Sequence, residues 1–489
     1  MMGHANHIAI EEPVLRRIGA VADSAGIAAS VVGGYVRDRF LNRPVTDIDI
    51  VVLGQGIDFA RRVAKEFGRK NLVVYENFGT AMLPLEDRTI EFVGARRESY
   101  RKDSRKPVVA EGTLADDLSR RDFTVNAMAA SLNAASWGKV EDPFDGQADL
   151  ERRLLRTPLE PRATFDDDPL RILRAMRFAA QLGFTVDAPV LAAATEMASR
   201  LSIVSQERIT DEFMKIMRAP APSVGLALMH TTGVLAVVLP EAAQMGGVDQ
   251  RKDFHHKDVL RHTFQVVDKV SAGTENVWLR MAALLHDIAK PRTKQFKEGT
   301  GWTFHGHEEL GARMVKPIFR RLRLPVEPVK YVEKLVQLHL RPMALVDEGV
   351  TDSAVRRLLF DAGNDVDDLM LLCRADITSK NMRLVDQVRR NYDLVAAKME
   401  EVEAKDRIRN WQPPLRGEEI MAVCGLTEGP MVGVLKDAVT DAILDGVIPN
   451  EHDAALAYLL RIKNEVTSNS PEKRPRRNDL GILGSTEPR

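Results

Sequence analysis

The sequence predicts an α+β protein, a mixed-sheet head followed by a long all-α body with a neck, a second domain and a helical tail. Two observations carry this. Short β-type runs follow one another early in the chain, at SVVGG, IDIVVL, NLVVY, TAMLPL and TIEFVG, behind an amphipathic helical stretch over 10–29. From Pro169 to about residue 465 the β signals almost vanish, and helical patterns come in pieces bounded by Pro and Gly, such as RAPAPS and LPEAAQMGG. A length of 489 residues exceeds one core, and 44% hydrophobic with 28% charged residues is an ordinary globular balance. The chain therefore reads as a head over 1–155, a neck over 156–245 and a second body over 246–400. A helical tail over 401–465 and a disordered, Pro-containing polar C-terminus over 466–489 follow.

The formal net charge is −1, so a polyanionic partner has to meet local basic patches. Cys373 and Cys424 lie far apart and form no CxxC pattern, which suits packing roles in a reducing compartment. No apolar run approaches the ~20 residues of a membrane span. The start, MMGHANHIAIEEP, lacks the basic flank and apolar run of a secretory signal. These features predict a cytoplasmic protein with no membrane partner.

Within SVVGGYVRDRFLNRPVTDIDIVVLG, residues 30–54, a carboxylate pair sits inside an apolar strand. Residues two apart on a strand share a face, so Asp47 and Asp49 project together while Ile48 and Ile50 pack behind. Burying such charges without a partner is costly, and one or two Mg²⁺ ions bridging nucleotide phosphates would supply the partner. Gly33-Gly34 lets the backbone approach a phosphate, and Arg37 at the next helix adds charge-assisted bonds. Taken singly, each feature also suits a plain turn and an acidic strand end.

In LSRRDFTVNAMAA, Arg120, Arg121, Asp122 and Asn126 offer donors and acceptors for a ribose hydroxyl or phosphate. The same residues would also suit a charged helix start. In FDDDPLRILRAMRFAAQLGF, Asp168-Pro169 reads as an N-cap with Pro at the first helical position. Three consecutive aspartates exceed what a cap requires. Arg171, Arg174 and Arg177 recur every third residue, a stripe that drifts about 60° per step around a helix. Asp168 beside Arg171 would read the amino group and ring nitrogen that cytosine and adenine share, and would reject guanine and uracil.

GGxVRD followed by DxD, then RRDFTxNAM, then DDPxRxLRxxRFA, resembles the class II tRNA nucleotidyltransferases. These are the CCA-adding enzymes, related to bacterial poly(A) polymerase within the DNA polymerase beta superfamily. The resemblance covers residues 30–220 and includes VSQERITDEFMKIM. It implies that Asp47 and Asp49 hold catalytic Mg²⁺, with Gly33, Gly34 and Arg37 on the incoming nucleotide. It places Arg121 and Asp122 at the ribose and phosphates. Asp168 and Arg171 become a protein template for CTP and ATP, with Arg174 and Arg177 completing the pocket. The implied reaction is in-line attack of a tRNA 3′-hydroxyl on the α-phosphate, releasing pyrophosphate. One departure is Asp167, where the family usually has Glu. Glu91, in TIEFV, is a candidate third carboxylate.

The basic stretch RRESYRKDSRK, 96–106, reads as a solvated loop or, by the resemblance, as a flexible loop that helps switch between C and A addition, with Tyr100 a stacking platform. Arg152, Arg153 and Arg156 are candidates for tRNA phosphates.

Most histidines lie in the second half. His262, the adjacent His286-Asp287, His305, His307, His339 and Asp376 mix imidazole and carboxylate at metal-ligand intervals, which suits a divalent transition metal. The order resembles the HD phosphohydrolase superfamily, H…HD…H…H…D. That implies His262, His286, Asp287 and Asp376 for a first metal, with His307 and His339 extending the site to two. His307 is preferred to His305 because it precedes the EELGA helix, and Lys290 would help hold phosphate. The implied chemistry is hydrolysis of a phosphate ester or 2′,3′-cyclic phosphate.

These readings converge on a tRNA nucleotidyltransferase with an HD domain, acting on the tRNA 3′ end with CTP and ATP. The alternatives are a poly(A) polymerase, a CC-only or A-only enzyme, and an HD phosphohydrolase whose head only binds nucleotide. A nonenzymatic RNA-binding protein would not need two metal-ligand sets.

Overall fold

Alternation in DIDIVV decides the centre of the head. In a computed structural model of the chain, Ile48, Ile50 and Val52 are fully buried while Asp47 and Asp49 face the other side. The structure describes all residues except 1–4, 46, 77–78, 87, 100–107, 249–257, 300, 348–350, 379–380, 407–410 and 469–489. The expected disordered C-terminus therefore lies almost wholly outside the described residues.

The expected runs form β1 (Ala29–Val32), β2 (Asp47–Val52), β3 (Val73–Tyr75), β4 (Thr80–Pro84) and β5 (Thr89–Gly94). Two further strands, β6 (Arg96–Ser99) and β7 (Val108–Glu111), pair antiparallel with each other. The basic stretch is thus not loop throughout, because its flanks form a hairpin, while Tyr100 lies outside the described residues. Strands β8 (Ala129–Ser131) and β9 (Val140–Glu141) complete a seven-stranded sheet of order β3-β4-β5-β2-β1-β8-β9. Only β2 and β5 run parallel among these pairs, in a register that sets Asp49 opposite Glu91. The helix Gly56–Glu66 covers the apolar face, with the Phe59 ring edge-on to Phe92 at 5.8 Å. The first helix spans Pro13–Ala25, shorter than the amphipathic run, because Gly26 at φ +66 ends it in a left-handed cap.

The helix Leu170–Leu182 buries Ile172, Leu173, Met176 and Ala179 and stops at Gly183, φ +71. It packs against the helices Gln206–Met217 and Pro222–Thr231. Buried Arg280 joins helix ends here, donating to the carbonyls of Met217 and Ala219 at 3.1 Å each and of Thr274 at 2.8 Å. Small exceptions break the all-α expectation. Leu154–Leu155 pairs parallel with Thr185–Val186, and Gln295–Lys297 forms a hairpin with Gly301–Thr303.

The chain divides into two units, Met1–Glu333 and Lys334–Arg489. The second is helical among its described residues, and the helix Met382–Asp406 runs across position 400. Its core includes Leu415, Ile420, Leu435, Val439, Ile443 and Leu459. Arg357 ties two of its helices, Asp352–Ala362 and Pro430–Leu444, through Asp441 at 2.9 Å. Cys373 is buried and Cys424 partly so, both as free thiols, in keeping with packing roles. No described helix is long and apolar enough to cross a membrane.

Candidate active site

Asp47 and Asp49 emerge from β2 on the face opposite Ile48 and Ile50, and Glu91 meets Asp49 across the β2–β5 register. Burial raises the Asp49 carboxyl above its ordinary range, and Asp47 and Asp117 add to this against Arg121 and Arg174. Loss of water and the nearby Asp49 likewise raise Glu91. Carboxylates crowded on one face, two of them raised, fit a divalent cation, whose charge reverses the penalty. The donor set is all oxygen, which suits Mg²⁺ better than a soft metal.

Opposite this acidic face stands a wall of guanidinium groups. Gly33 has φ +68, and a Cβ there would lie 2.6 Å from an Arg121 nitrogen. Glycine is favoured here by backbone conformation, and a side chain would in addition have to push the Arg121 guanidinium aside. Arg37 is buried in the last turn of the helix Gly34–Phe40, where Asp38 holds it bidentately at 2.8 and 2.7 Å and Asn126 accepts from it at 2.7 Å. Fully buried Asp117 aims the next pair, accepting from Arg120 at 3.0 Å and from Arg121 at 3.3 Å.

The third side comes from the neck. Asp122 is buried, accepting from Arg174 Nε at 2.8 Å and from Asn126 at 2.9 Å. Its carboxylate is therefore committed to orienting Arg174, not left free for a ribose. Arg177 pairs with buried Glu212 at 3.2 Å and stacks on Phe178, 4.0 Å from the ring centre. The N-cap of the helix is Pro169, not Asp168; Asp168 precedes it and accepts from the Leu170 N–H at 3.2 Å, while its other oxygen pairs with Arg208 at 2.8 Å. Arg171 lies beside it in the chain but donates to the carbonyls of Thr164 and Arg120, at 3.2 and 2.6 Å. The acceptor and donor of the expected template are thus each fixed by other groups. Every head and neck residue singled out for the nucleotide borders one cavity of about 540 Å³.

Burial alone would raise the Asp122 carboxyl, yet Arg174, Asn126 and Arg171 hold it down at about 2, against an ordinary 3.8. A depressed carboxylate contributes stability above its unfolded value, lost as pH falls through the folded one. Asp122→Asn is therefore expected to cost about 2 kcal/mol at pH 7. The gap from wild type should narrow as pH drops from 4 towards 2. Urea unfolding across that range checks it.

A second cluster lies in the first unit. His262 and His286 approach one Asp287 oxygen through Nε2, at 3.7 and 3.2 Å, and His307 approaches the other at 3.3 Å. The Nδ1 atoms of His286 and His307 sit 2.8 and 2.7 Å from the carbonyls of Ala283 and Phe304. A carbonyl only accepts, so each Nδ1 carries the proton and Nε2 keeps its lone pair for a metal. Lys290 donates to Asp287 at 2.7 Å. Burial would raise the Asp287 carboxyl, but in the metal-free cluster His286, when protonated, and Lys290 hold it well below the usual carboxylate range. His307 is buried at its helix start whereas His305 is exposed, in line with the preference stated above. His339 and Asp376 belong to the second unit, where His339 Nδ1 sits 2.7 Å from the Val336 carbonyl.

Comparison with known proteins identifies these parts. The poly A polymerase head domain matches residues 29–156, the probable RNA and SrmB-binding site of polymerase A matches 183–245, and the HD domain matches 259–380. An A-adding tRNA nucleotidyltransferase from Deinococcus radiodurans is 34% identical over 351 residues, covering 70% of this chain and 78% of that protein. The chain belongs to the tRNA nucleotidyltransferase family. A CC-adding tRNA nucleotidyltransferase from Thermus thermophilus is 33% identical, over 88% of this chain and 92% of the other. In fold, the chain is similar to a Bacillus stearothermophilus CCA-adding enzyme in complex with CTP. The TM-score is 0.59 at 22% identity, over 94% of this chain and 100% of that one.

For a tRNA nucleotidyltransferase the sequence reading missed the residues that aim others. Asp117 sits three and four residues before Arg120 and Arg121, a helical spacing that signals pairing. Arg208 and Glu212 lie within the quoted VSQERITDEFMKIM, but nothing local reveals that they reach back to Asp168 and Arg177. Arg156 is engaged with Asp149 at 3.0 Å, which leaves exposed Arg152 and Arg153 as the freer candidates for phosphates.

Proposed function

We propose that this enzyme adds C, C and A in turn to the 3′ end of tRNA from CTP and ATP, releasing pyrophosphate. The supporting observation is one cavity bounded by a carboxylate face, a guanidinium wall and the Asp168–Arg171 helix start. Asp47 and Asp49, with Glu91 beside them, would hold Mg²⁺, which supplies Lewis-acid activation of the attacking hydroxyl and neutralises the leaving group. Arg37 and Arg121, held rigid by Asp38 and Asp117, would bind the triphosphate; Arg174 and Arg177 would close the pocket. Asp168 would accept from the exocyclic amine of cytosine or adenine, and a remaining Arg171 donor would reach the adjacent ring nitrogen. Guanine and uracil present an oxygen and an N–H there, which leaves both protein groups unpaired. Extension of a tRNA transcript lacking its 3′ end, with each triphosphate alone, tests this: C is expected to add and G and U to be rejected. Equal use of all four would contradict it.

The HD cluster supports a second reading, metal-dependent hydrolysis of a phosphate ester or 2′,3′-cyclic phosphate. It rests on the anchored Nδ1 atoms of His286 and His307. His262, His286, Asp287 and His307 would ligate, and an imidazole-rich set suits a divalent transition metal. His339 and Asp376 are added from the order H…HD…H…H…D within the matched residues 259–380. His286→Ala is expected to lower bound transition metal and abolish cyclic-phosphate hydrolysis while nucleotide addition is unchanged. Elemental analysis and paired assays check it, with His307→Ala as a second variant.

A further inference from the structure

The HD match contains a feature that metal binding does not require. Between the ligands His286-Asp287 and His307 the chain leaves as a short hairpin, Gln295–Lys297 with Gly301–Thr303. Its cross-strand partners Phe296 and Trp302 meet edge-on at 5.3 Å, yet are 54% and 37% exposed. A pair that served only to hold two strands together would hide more of its area. The Lys294 ammonium stands 4.4 Å from the centre of the Trp302 ring. At the base of the hairpin, Lys290 stands 5.7 Å from the Phe304 ring while bonding Asp287 at 2.7 Å. Phe304 in turn supplies the carbonyl that orients His307. One cation–ring contact thus lies beside the cluster and another on the hairpin that leaves it. The segment 290–304 carries Lys290, Arg292, Lys294 and Lys297 against one acid, Glu298, in a chain whose overall charge is near zero.

We propose that this hairpin is a nucleobase-binding platform that holds the terminal nucleotide of a single RNA strand while its phosphate lies at the HD cluster. The inference builds on the hydrolytic reading of that cluster and names its substrate class: nucleotides and RNA ends, not small phosphate esters. Exposed rings interleaved with lysines bind bases through their π-faces and the backbone through charge, with little dependence on sequence. A protein partner is disfavoured because the patch is small and nearly all its charges have one sign.

The test uses the full-length protein labelled with 5-fluorotryptophan, in which the Trp302 fluorine resonance is assigned by its absence in Trp302→Phe. Adenosine 3′-monophosphate is titrated, with inorganic phosphate and glycerol 3-phosphate as probes lacking a base. A saturable shift of the Trp302 resonance with the nucleotide alone is expected, weakened about fivefold or more by Phe296→Ala. No shift, or the same shift with all three probes, would overturn the platform. Hydrolysis is followed separately on the metal-loaded enzyme. A Trp302 shift without hydrolysis would sustain the platform and remove the hydrolytic reading. Hydrolysis of the nucleotide with a KM unaltered by Phe296→Ala and Trp302→Ala would overturn the platform and keep that reading.

Discussion

Asp49→Asn is expected to lower nucleotide addition by at least about a thousandfold, because it removes a ligand at the reacting centre. The same variant should be no less stable than wild type in metal-free buffer at pH 7. Both Asp49 and Glu91 have raised carboxyl values, from burial first, with Asp47 and Asp117 adding to it at Asp49 and Asp49 adding to it at Glu91. A raised acid favours folding while protonated and loses that advantage as pH climbs through its folded value. As pH climbs, each raised carboxyl therefore works against the metal-free fold, and a neutral amide at position 49 relieves its share. Added Mg²⁺ should raise the wild-type melting temperature and leave that of Asp49→Asn almost unmoved. Thermal scans with and without Mg²⁺, beside a single-turnover extension assay, separate loss of a ligand from loss of fold. A variant that fails to fold would show the opposite stability.

Asp168→Ala should collapse the preference for C and A over G and U. Sites that hydrogen-bond a substrate reject the wrong partner by about 10⁴-fold or more, because mismatched polar groups stay unpaired. Removing the acceptor leaves a smaller, undirected pocket in which that penalty is gone. Part of the loss should be structural, since Asp168 also accepts from the Leu170 N–H at the start of the helix Leu170–Leu182, a hydrogen bond worth about 1 kcal/mol. Asp168→Asn keeps an accepting oxygen there and serves as the control. Arg208→Ala should give a milder relaxation, as it frees Asp168 from its 2.8 Å partner without deleting it. Competition between CTP and UTP, and between ATP and GTP, at one primer end reads all three.

The head was legible because its chemistry follows local periodicities. Alternation in DIDIVV gave the carboxylate face directly, and five strands followed from β-branched runs. Strand β8 escaped notice because AAS is small and unbranched, so tertiary pairing with β1, not propensity, makes it a strand. The β6–β7 hairpin was hidden by charge, which masks any alternation. At the site, the residues singled out from the sequence border one cavity, while Asp117, Arg208 and Glu212, which pair with them, were not singled out. Asp122 illustrates the limit: its type suggested a ribose contact, but a pairing 52 residues away commits it to Arg174. Gly33 was recognised as permissive, though its neighbour turned out to be the Arg121 side chain. In the HD segment the histidines and Asp287 that the structure draws together were readable from residue type and order. The carbonyls of Ala283, Phe304 and Val336 that set each imidazole carry no side-chain signal at all.

The most direct test of the central claim is the length of product, at nucleotide resolution, from a tRNA transcript ending at the discriminator base. With Mg²⁺ and CTP alone, two additions are predicted, and a third only when ATP is also present. A stop after two with both triphosphates, or addition of a single A only to a primer already ending in CC, would make this a partial adder like its Thermus or Deinococcus relatives. A long ladder of A residues would make it a poly(A) polymerase and contradict the account.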